Sequence, residues 1–451
     1  MKILGRRTIV SVSARAAILM APLVLPIVGF AQTCMPLPDT VAVQLSLALA
    51  ESRIVHCNRD VIVLLRATEA AGADRQIAGQ RPNPTLSLGA NNINPKEGIG
   101  SGSLRDKAFD SSLRIDQLIE RGDKGNLREQ QANAAIRAAE ADYQDALRVQ
   151  LAQVRTLFFE LGFQQVRKKL LQEFASLAQE NLIAAEKRFK VGDIAEIDLS
   201  RFRLDGARAQ HDFRSAEIDL EKARADFARS IGAETRRARL IVDVDLPKQA
   251  LATRLAESTA GRRADSRPDL IAARERIEAA QAANGLARAI STRDVSVGFQ
   301  VDRWPVTQFN AQGTGNSYGF SVSIPLFVRH ANEGEARKSS VELQSARDLA
   351  NRVEATAGSE GQVSAAAWIA AAERTARIDH DLLPLAKRVA ASAEYAYAKG
   401  ATSVLELLDA RRSLKQAELD AALARADTGK AWAQFVAATA SMPNNNSGAT
   451  Q

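Results

Sequence analysis

The sequence predicts a mainly α-helical fold that is internally duplicated and also contains amphipathic β-strands. One observation behind this prediction is a turn that occurs twice, at Arg188–Leu199 and again 208 residues later at Ala396–Leu407. In both copies an aromatic residue precedes a glycine by three positions, and an acidic residue follows the glycine by six. Glycine tolerates the left-handed backbone of a sharp helix reversal, so Gly192 and Gly400 predict two antiparallel helical hairpins.

Two further observations support duplication and long helices. The segment Thr85–Gly89 alternates polar and apolar residues, and Asp294–Gly298 repeats that alternation 209 residues later. Such alternation is typical of a strand with one apolar face. No proline occurs between Gly122 and Phe189. Within that stretch the apolar residues follow the 4-3-4-3 spacing of a coiled-coil seam: Leu147, Leu151, Val154, Phe158 and Leu161.

The composition fits a large helical protein rather than a nucleic-acid-binding one. Of the 451 residues, 46% are hydrophobic, 25% are charged and only 5% are aromatic, which permits a large core in two similar halves. The formal net charge is +7, but charges of both signs are mixed along the helical faces and no basic run occurs. We therefore expect no nucleic-acid partner.

Residues 1–31 are expected to be a signal peptide for export. Basic residues precede an apolar run from Ala16 to Val28, and Gly29-Phe30-Ala31 offers small residues for cleavage. The alternative, a membrane anchor, requires about 20 apolar residues, and Pro22 and Pro26 interrupt this shorter run.

Cys34 and Cys57 are the only cysteines, and both follow the expected cleavage point. In an oxidising periplasm they are candidates for a disulfide that ties the N-terminal tail to the first helix. Two alternatives stay open from the sequence. One is lipid attachment at Cys34, although Ala31-Gln32-Thr33 fits a lipoprotein signal poorly, and the other is two free thiols.

The first repeat, residues 32–232, is predicted to contain two strands between helices. Its elements are a helix over 39–80, a strand over 85–91, a polar loop over 93–107, a strand over 109–119, a long helix over 122–189, and a returning helix that ends near 231. Residues 233–267 are predicted to form a connector with a short helix.

The second repeat, residues 268–440, is predicted to follow the same order. Its elements are a helix over 268–290, strands over 294–301 and 317–327, a long helix over 332–398 and a last helix over 402–438. The long helix is expected to break near Gly358–Gly361 and at Pro384. Residues 441–451 are expected to be a disordered tail.

The four strands have roughly the 9–11 residues that a membrane-crossing strand requires. In lipid, strands must close into a barrel, and about eight is the smallest number that closes one. Four strands per chain therefore imply that several copies share one barrel, with the polar faces towards a water-filled lumen. The alternative is a small soluble sheet that caps a helical bundle.

These segments together resemble the TolC family of outer-membrane efflux proteins over nearly the whole mature chain. The resemblance implies a homotrimer in which each chain gives four strands to a twelve-stranded β-barrel, and long helices that form a coiled-coil barrel across the periplasm. It implies location in the outer membrane, in contact with its lipid. It also implies a periplasmic adaptor (membrane fusion) protein and an inner-membrane resistance-nodulation-division pump as partners.

The resemblance also implies a gate at the two glycine turns. By position, Asp198, Glu406 and Asp409 match acids that face the closed pore, and Tyr397 matches a tyrosine that latches the closed state. Thr402 stands where the family has an arginine, which puts the corresponding latch bond in doubt. Rings of carboxylates at a constriction favour cations. The alternative is that these acids only offset the dipoles of the helices they begin.

No catalytic constellation is expected, so the protein is predicted to be a passive duct without enzyme activity, cofactor or resident metal. The four histidines are scattered singly, and none has metal-ligand spacing. Arg81–Pro84 and Gln117–Lys124 resemble the branch that serves cobalt-zinc-cadmium exporters, which favours divalent metal cations as cargo. Drugs or other small molecules come next and protein secretion last. A periplasmic coiled-coil adaptor or scaffold is the alternative from another class.

Overall fold

A computed structural model describes residues 34, 42–93, 109–233, 240–244, 266–305 and 315–439. All of these residues belong to one unit, which begins at Cys34. The predicted signal peptide and the predicted C-terminal tail lie outside the described residues, as does the short helix predicted for the connector.

The first half begins with short elements and ends with a long helical hairpin. In chain order these are β1 (Val43–Leu45), α1 (Leu47–Cys57), α2 (Arg59–Ala78), β2 (Thr85–Asn91), β3 (Asp110–Ile119), α3 (Lys124–Lys190) and α4 (Glu196–Ser230). With 67 residues, α3 is about 100 Å long at 1.5 Å per residue.

The prediction of one helix over 39–80 was wrong, because a strand precedes it and Asn58 divides it. The Asn58 side-chain oxygen accepts hydrogen bonds from the amides of Asp60 and Val61, which caps α2. Its side-chain nitrogen donates to the carbonyl of Ser230 at 2.9 Å. The break therefore also fastens the start of α2 to the end of α4.

Among the described residues, the second half follows a similar order, with one helix before its sheet strands and with its long helix divided. It contains β4 (Leu240–Val242), α5 (Pro268–Ala289), β5 (Val295–Trp304), β6 (Gly315–Ser323), α6 (Glu333–Arg377), a five-residue π-turn (Ile378–Leu382), α7 (Leu383–Ala398) and α8 (Val404–Ala438). None of the helices in the described ranges is both long enough and apolar enough to span a bilayer.

The predicted break near Gly358–Gly361 was wrong, whereas the one at Pro384 takes the form of the π-turn just before it. Helix α6 runs without interruption through both glycines, since each costs a helix only about 1 kcal/mol. Proline lacks a backbone donor and its ring displaces the preceding turn, so the helix widens over Ile378–Leu382 before α7 begins.

The four long strands form one antiparallel sheet in the order β2-β3-β5-β6, so the two halves meet between β3 and β5. The register pairs Leu88 with Leu113, Leu113 with Val301, and Phe299 with Phe320. This register gathers apolar residues on one face, and several are well exposed, including Leu88 at 73% and Phe320 at 83%. The opposite face carries small and polar residues such as Ser87, Arg114, Gln300 and Ser321. Strand β6 ends at Ser323, earlier than predicted, because Pro325 follows.

The largest buried cluster lies where α1, α3 and α4 meet the parallel pair β1–β4. The predicted seam of α3 contributes to it directly: Val154, Phe158 and Leu161 are buried, and Leu147 and Leu151 pack against them. A disulfide joins Cys34 to Cys57 at the end of α1, so the Cys34 sulfur is not free to carry a lipid.

Candidate functional site

The two glycine turns share the same backbone geometry. Gly192 and Gly400 have φ angles of +78° and +71°, in the left-handed region. In each turn, the amide after the glycine donates to the carbonyl five residues back at 2.9 Å, from Asp193 to Arg188 and from Ala401 to Ala396. A side chain at either glycine would meet no atom within 4 Å. The glycines are therefore required by the backbone angle alone.

Apolar side chains hold the two turns together. One buried cluster combines residues from both hairpins: Ala185 of α3, Leu199 and Phe202 of α4, and Val404 and Leu408 of α8. Tyr397, at the end of α7, packs against this cluster. The ends of the two hairpins, which we call the tip, therefore form one packed unit within the chain.

Arg188 links the two turns through polar contacts. Its Nε donates to the Asp193 carboxylate at 2.6 Å, and its Nη1 donates to the Tyr397 hydroxyl at 2.9 Å. Its guanidinium also lies 5.6 Å from the centroid of the Tyr397 ring. The hydrogen bond to Asp193, followed by the interaction with Tyr397, raises the pKa of Arg188 above its ordinary value.

The sequence analysis did not identify Arg188, although a difference between the two copies of the turn could have indicated it. The position 208 residues later is Ala396, so a charged side chain occurs at this position in only one copy of the turn. Thr402 stands in place of the family's arginine, whereas Arg188 reaches Tyr397 from the opposite hairpin.

The three acids of the predicted gate have different surroundings. Asp198, in the first turn of α4, forms an ion pair with Arg201 at 3.0 Å, and its side chain is 27% exposed. Asp409, in α8, lies 3.6 Å from Arg412 and is 60% exposed. Glu406 is exposed, and its carboxylate makes no ion pair with any described residue. Ser403 caps α8 by accepting a hydrogen bond from the Glu406 amide at 3.3 Å.

Ion pairs join α8 to its neighbours behind the tip. Arg412 reaches Asp205 of α4 at 3.4 Å, and Lys415 reaches Asp212 of α4 at 3.0 Å. Arg411 holds α7 through Glu394 at 2.9 Å. A groove of about 250 Å³ lies beside these pairs, between α3, α4 and α8.

Within the described parts of the chain, no set of three or more His, Cys, Asp or Glu side chains is placed to hold a metal ion. The acids of the tip do not form such a set either. The geometry is that of a packed helical end with exposed carboxylates.

The family model described as "Outer membrane efflux protein" matches residues 53–233 and 261–441, one match in each half. The chain therefore belongs to the outer membrane efflux protein family. Its function is that of the outer-membrane exit channel of an efflux system, as the resemblance predicted, and this leaves the scaffold alternative without support.

Individual relatives agree with the family match. The chain is 26% identical to the cobalt-zinc-cadmium resistance protein CzcC of Cupriavidus metallidurans over 313 residues, 68% of this chain and 72% of CzcC. Its fold is similar to a membrane protein from Pseudomonas aeruginosa, with a TM-score of 0.72, 17% identity, and coverage of 87% and 90% of the two chains. The fold is also similar to that of CusC, with a TM-score of 0.69, 18% identity, and coverage of 90% and 97%. The predicted fold class is confirmed.

Proposed function

We propose that this chain forms, as a homotrimer, the exit duct of a tripartite efflux system that exports divalent metal cations. The observation that carries the cargo assignment is the similarity to CzcC, whose name states resistance to cobalt, zinc and cadmium. The duct itself supplies a path, and energy comes from the inner-membrane pump.

The four-stranded sheet supports a shared barrel. Strands β2 and β6 are the edges of the sheet, and their outer hydrogen-bonding groups have no partner strand among the described residues. Three copies would pair β2 of one chain with β6 of the next and close twelve strands. The exposed apolar face would then contact lipid, and the face rich in serine and glycine would line the lumen.

The tip supports a gate that the hairpins close. The hydrogen bond from Arg188 to Tyr397 ties the two hairpins of each chain, and Asp193 holds the Arg188 guanidinium in place. We assign this cross-link the role of the family bond that Thr402 puts in doubt. Glu406 and Asp409 are exposed acids that three chains would present at the constriction, where they attract cations. Asp198 contributes less, because Arg201 neutralises it.

The proposed partners are a periplasmic adaptor protein and a resistance-nodulation-division pump. The groove between α3, α4 and α8 is lined by charges of both signs, including Asp205, Asp212 and Lys415. We expect the adaptor to dock at this surface through charged side chains, which would compete with the ion pairs that hold α8 to α4.

The test is a deletion strain grown on zinc, cobalt, cadmium and nickel salts, beside a panel of dyes and antibiotics. We expect several-fold greater sensitivity to at least one metal, restored by the intact gene, and an oligomer in the outer-membrane fraction that heating dissociates. Sensitivity to organic compounds alone would keep the duct and remove the metal assignment. Multidrug or small-molecule efflux is the second candidate, since the tip acids select charge and not chemical identity.

A further inference from the structure

Two arginines flank neighbouring strands where the sheet meets the helices. Arg121 lies two residues after the end of β3, and Arg293 lies two residues before the start of β5. The last pair of this antiparallel ladder is Ile119 with Val295. Continuing the register by two positions places Arg121 opposite Arg293, on the apolar face that Ile119 and Val295 share.

No acid in the described part of the chain neutralises these two guanidinium groups. The neighbouring acids are already engaged: Asp294 accepts from Lys124 Nζ at 2.8 Å and from the Arg121 amide at 2.9 Å. Glu120 forms an ion pair with Arg128 at 2.6 Å. Like charges at opposite positions of two strands repel each other, so this arrangement is suited to an anion between them.

On the side of the segment that follows β6, the surface beside Arg293 is apolar, which limits the kind of anion. Its guanidinium lies 5.6 Å from the centroid of the Phe327 ring. Beyond the end of β6, Ile324, Leu326 and Val328 are exposed at 45%, 71% and 84%. The apolar face therefore continues past the end of β6 to the level of Arg121 and Arg293. This is the arrangement expected at the boundary between the acyl chains and the headgroups of a membrane.

The length of the apolar face agrees with this boundary. On β5, Arg293 and Arg303 enclose the apolar positions Val295, Val297, Phe299 and Val301. Ten residues of strand span about 33 Å, or about 25 Å along the membrane normal at the tilt of a barrel strand. That distance is the height of the apolar band of an outer-membrane barrel.

We propose that Arg121 and Arg293 bind the phosphate headgroup of an anionic phospholipid in the leaflet of the outer membrane that faces the periplasm. The acyl chains lie along the apolar face beside Phe327. Arg81 before β2 and Arg329 after β6 are also exposed and give every strand an arginine at this edge. The proposal rests on the proposed barrel, since only a membrane-embedded sheet meets such a lipid.

The test is native mass spectrometry of the full chain in detergent, titrated with phosphatidylglycerol or with phosphatidylcholine. An arginine near a lipid surface favours an anionic headgroup by about fivefold, so the wild type should retain phosphatidylglycerol preferentially. The double variant R121Q/R293Q should lose most of that preference, and R121K/R293K should keep part of it. R352Q, which removes an exposed arginine from α6, should behave as the wild type.

The outcomes separate the inference from the proposed function, because the same spectra report oligomer mass and bound lipid. A trimer whose R121Q/R293Q variant keeps the full preference would overturn the inference alone. A chain that is never a trimer and binds neither lipid would overturn both. If the double variant does not assemble, R293Q alone should lower the preference about fivefold, since Arg293 makes no buried bond. Displacement of the lipid by inorganic phosphate at a concentration equal to that of the lipid would also contradict a lipid site, because a lipid gains additional affinity from its acyl chains on the apolar face.

Discussion

The two helical hairpins of the chain have the same turn but differently built arms. In the first half, α3 runs for 67 residues to the turn at Gly192 without interruption. In the second half, the arm that leads to Gly400 is divided into α6, the π-turn and α7. The first arm is one continuous helix, and the second is interrupted by the π-turn about twenty residues before Gly400. The two copies of the duplicated fold therefore differ in the continuity of the arm that leads to the turn.

The two turns also differ in the charged and polar side chains that they contribute to the tip. The first turn supplies Arg188, and its acid Asp198 is held by Arg201. The second turn supplies Tyr397, the recipient of the Arg188 hydrogen bond, and the exposed acids Glu406 and Asp409. The first hairpin therefore supplies the donor of the hydrogen bond between the hairpins, and the second presents the more exposed carboxylates.

The largest loss of stability should come from replacing the turn glycines, and it should be equal in the two halves. Replacing Gly192 or Gly400 with alanine forces a side chain into the left-handed region at a cost of about 1–2 kcal/mol. Each variant should therefore lower the temperature at which the oligomer dissociates, and by similar amounts. The matched control is G358A in α6, where the backbone is helical and an added methyl group meets no neighbour, so stability should rise slightly. Unequal losses at the two turns would mean that a partner contacts one of them.

The next effect depends on the cross-link between the hairpins. An exposed pair such as Arg188 with Asp193 and Tyr397 contributes about 0.5 kcal/mol per chain, so three copies shift opening about tenfold. R188A should increase entry of a large antibiotic that the outer membrane normally excludes, and Y397F should do so to a smaller extent. R203A removes a more exposed arginine with only a long contact to Glu186, and it should leave entry unchanged. Equal effects of R188A and R203A would contradict the cross-link.

The smallest effect should distinguish the acids of the two turns. The double variant E406Q/D409N removes two negative charges per chain. It should lower the cation-over-anion permeability ratio of the channel by about threefold, because exposed carboxylates at a constriction attract cations. D198N should change this ratio little, since Arg201 already neutralises that charge. Reversal potentials in a salt gradient measure the ratio. A larger change of the permeability ratio for D198N than for E406Q/D409N would contradict the assignment of the exposed charge to the second turn.

The sequence predicted the parts of the fold that depend on local periodicity. Strand β2 was predicted over the residues it occupies, and α3 was predicted to within two residues at each end. Strand β1 was missed because its partner, β4, lies almost two hundred residues away and only three residues pair. The break at Asn58 was missed because the carbonyl that its side chain also binds belongs to Ser230.

The tip was predictable only in part. The two glycines stand at equivalent positions of the repeats, as do Asp198 and Glu406, whereas Asp409 aligns with Arg201 and was assigned from the family resemblance. The partners of Asp198 and Asp409 lie three residues further along the same helix, whereas the role of Arg188 depends on how α3 packs beside α7, which the sequence does not reveal. The Gly358–Gly361 prediction failed because packing of α6 overrides the weak helix propensity of glycine.

The most direct test of the account is single-channel recording of the purified protein in a planar lipid bilayer, beside the double variant R188A/Y397F. We predict that the wild type conducts weakly and prefers cations, and that the variant opens more often to a larger conductance. A protein that forms no channel, or a variant that records identically to the wild type, would contradict an exit duct closed by its two hairpins.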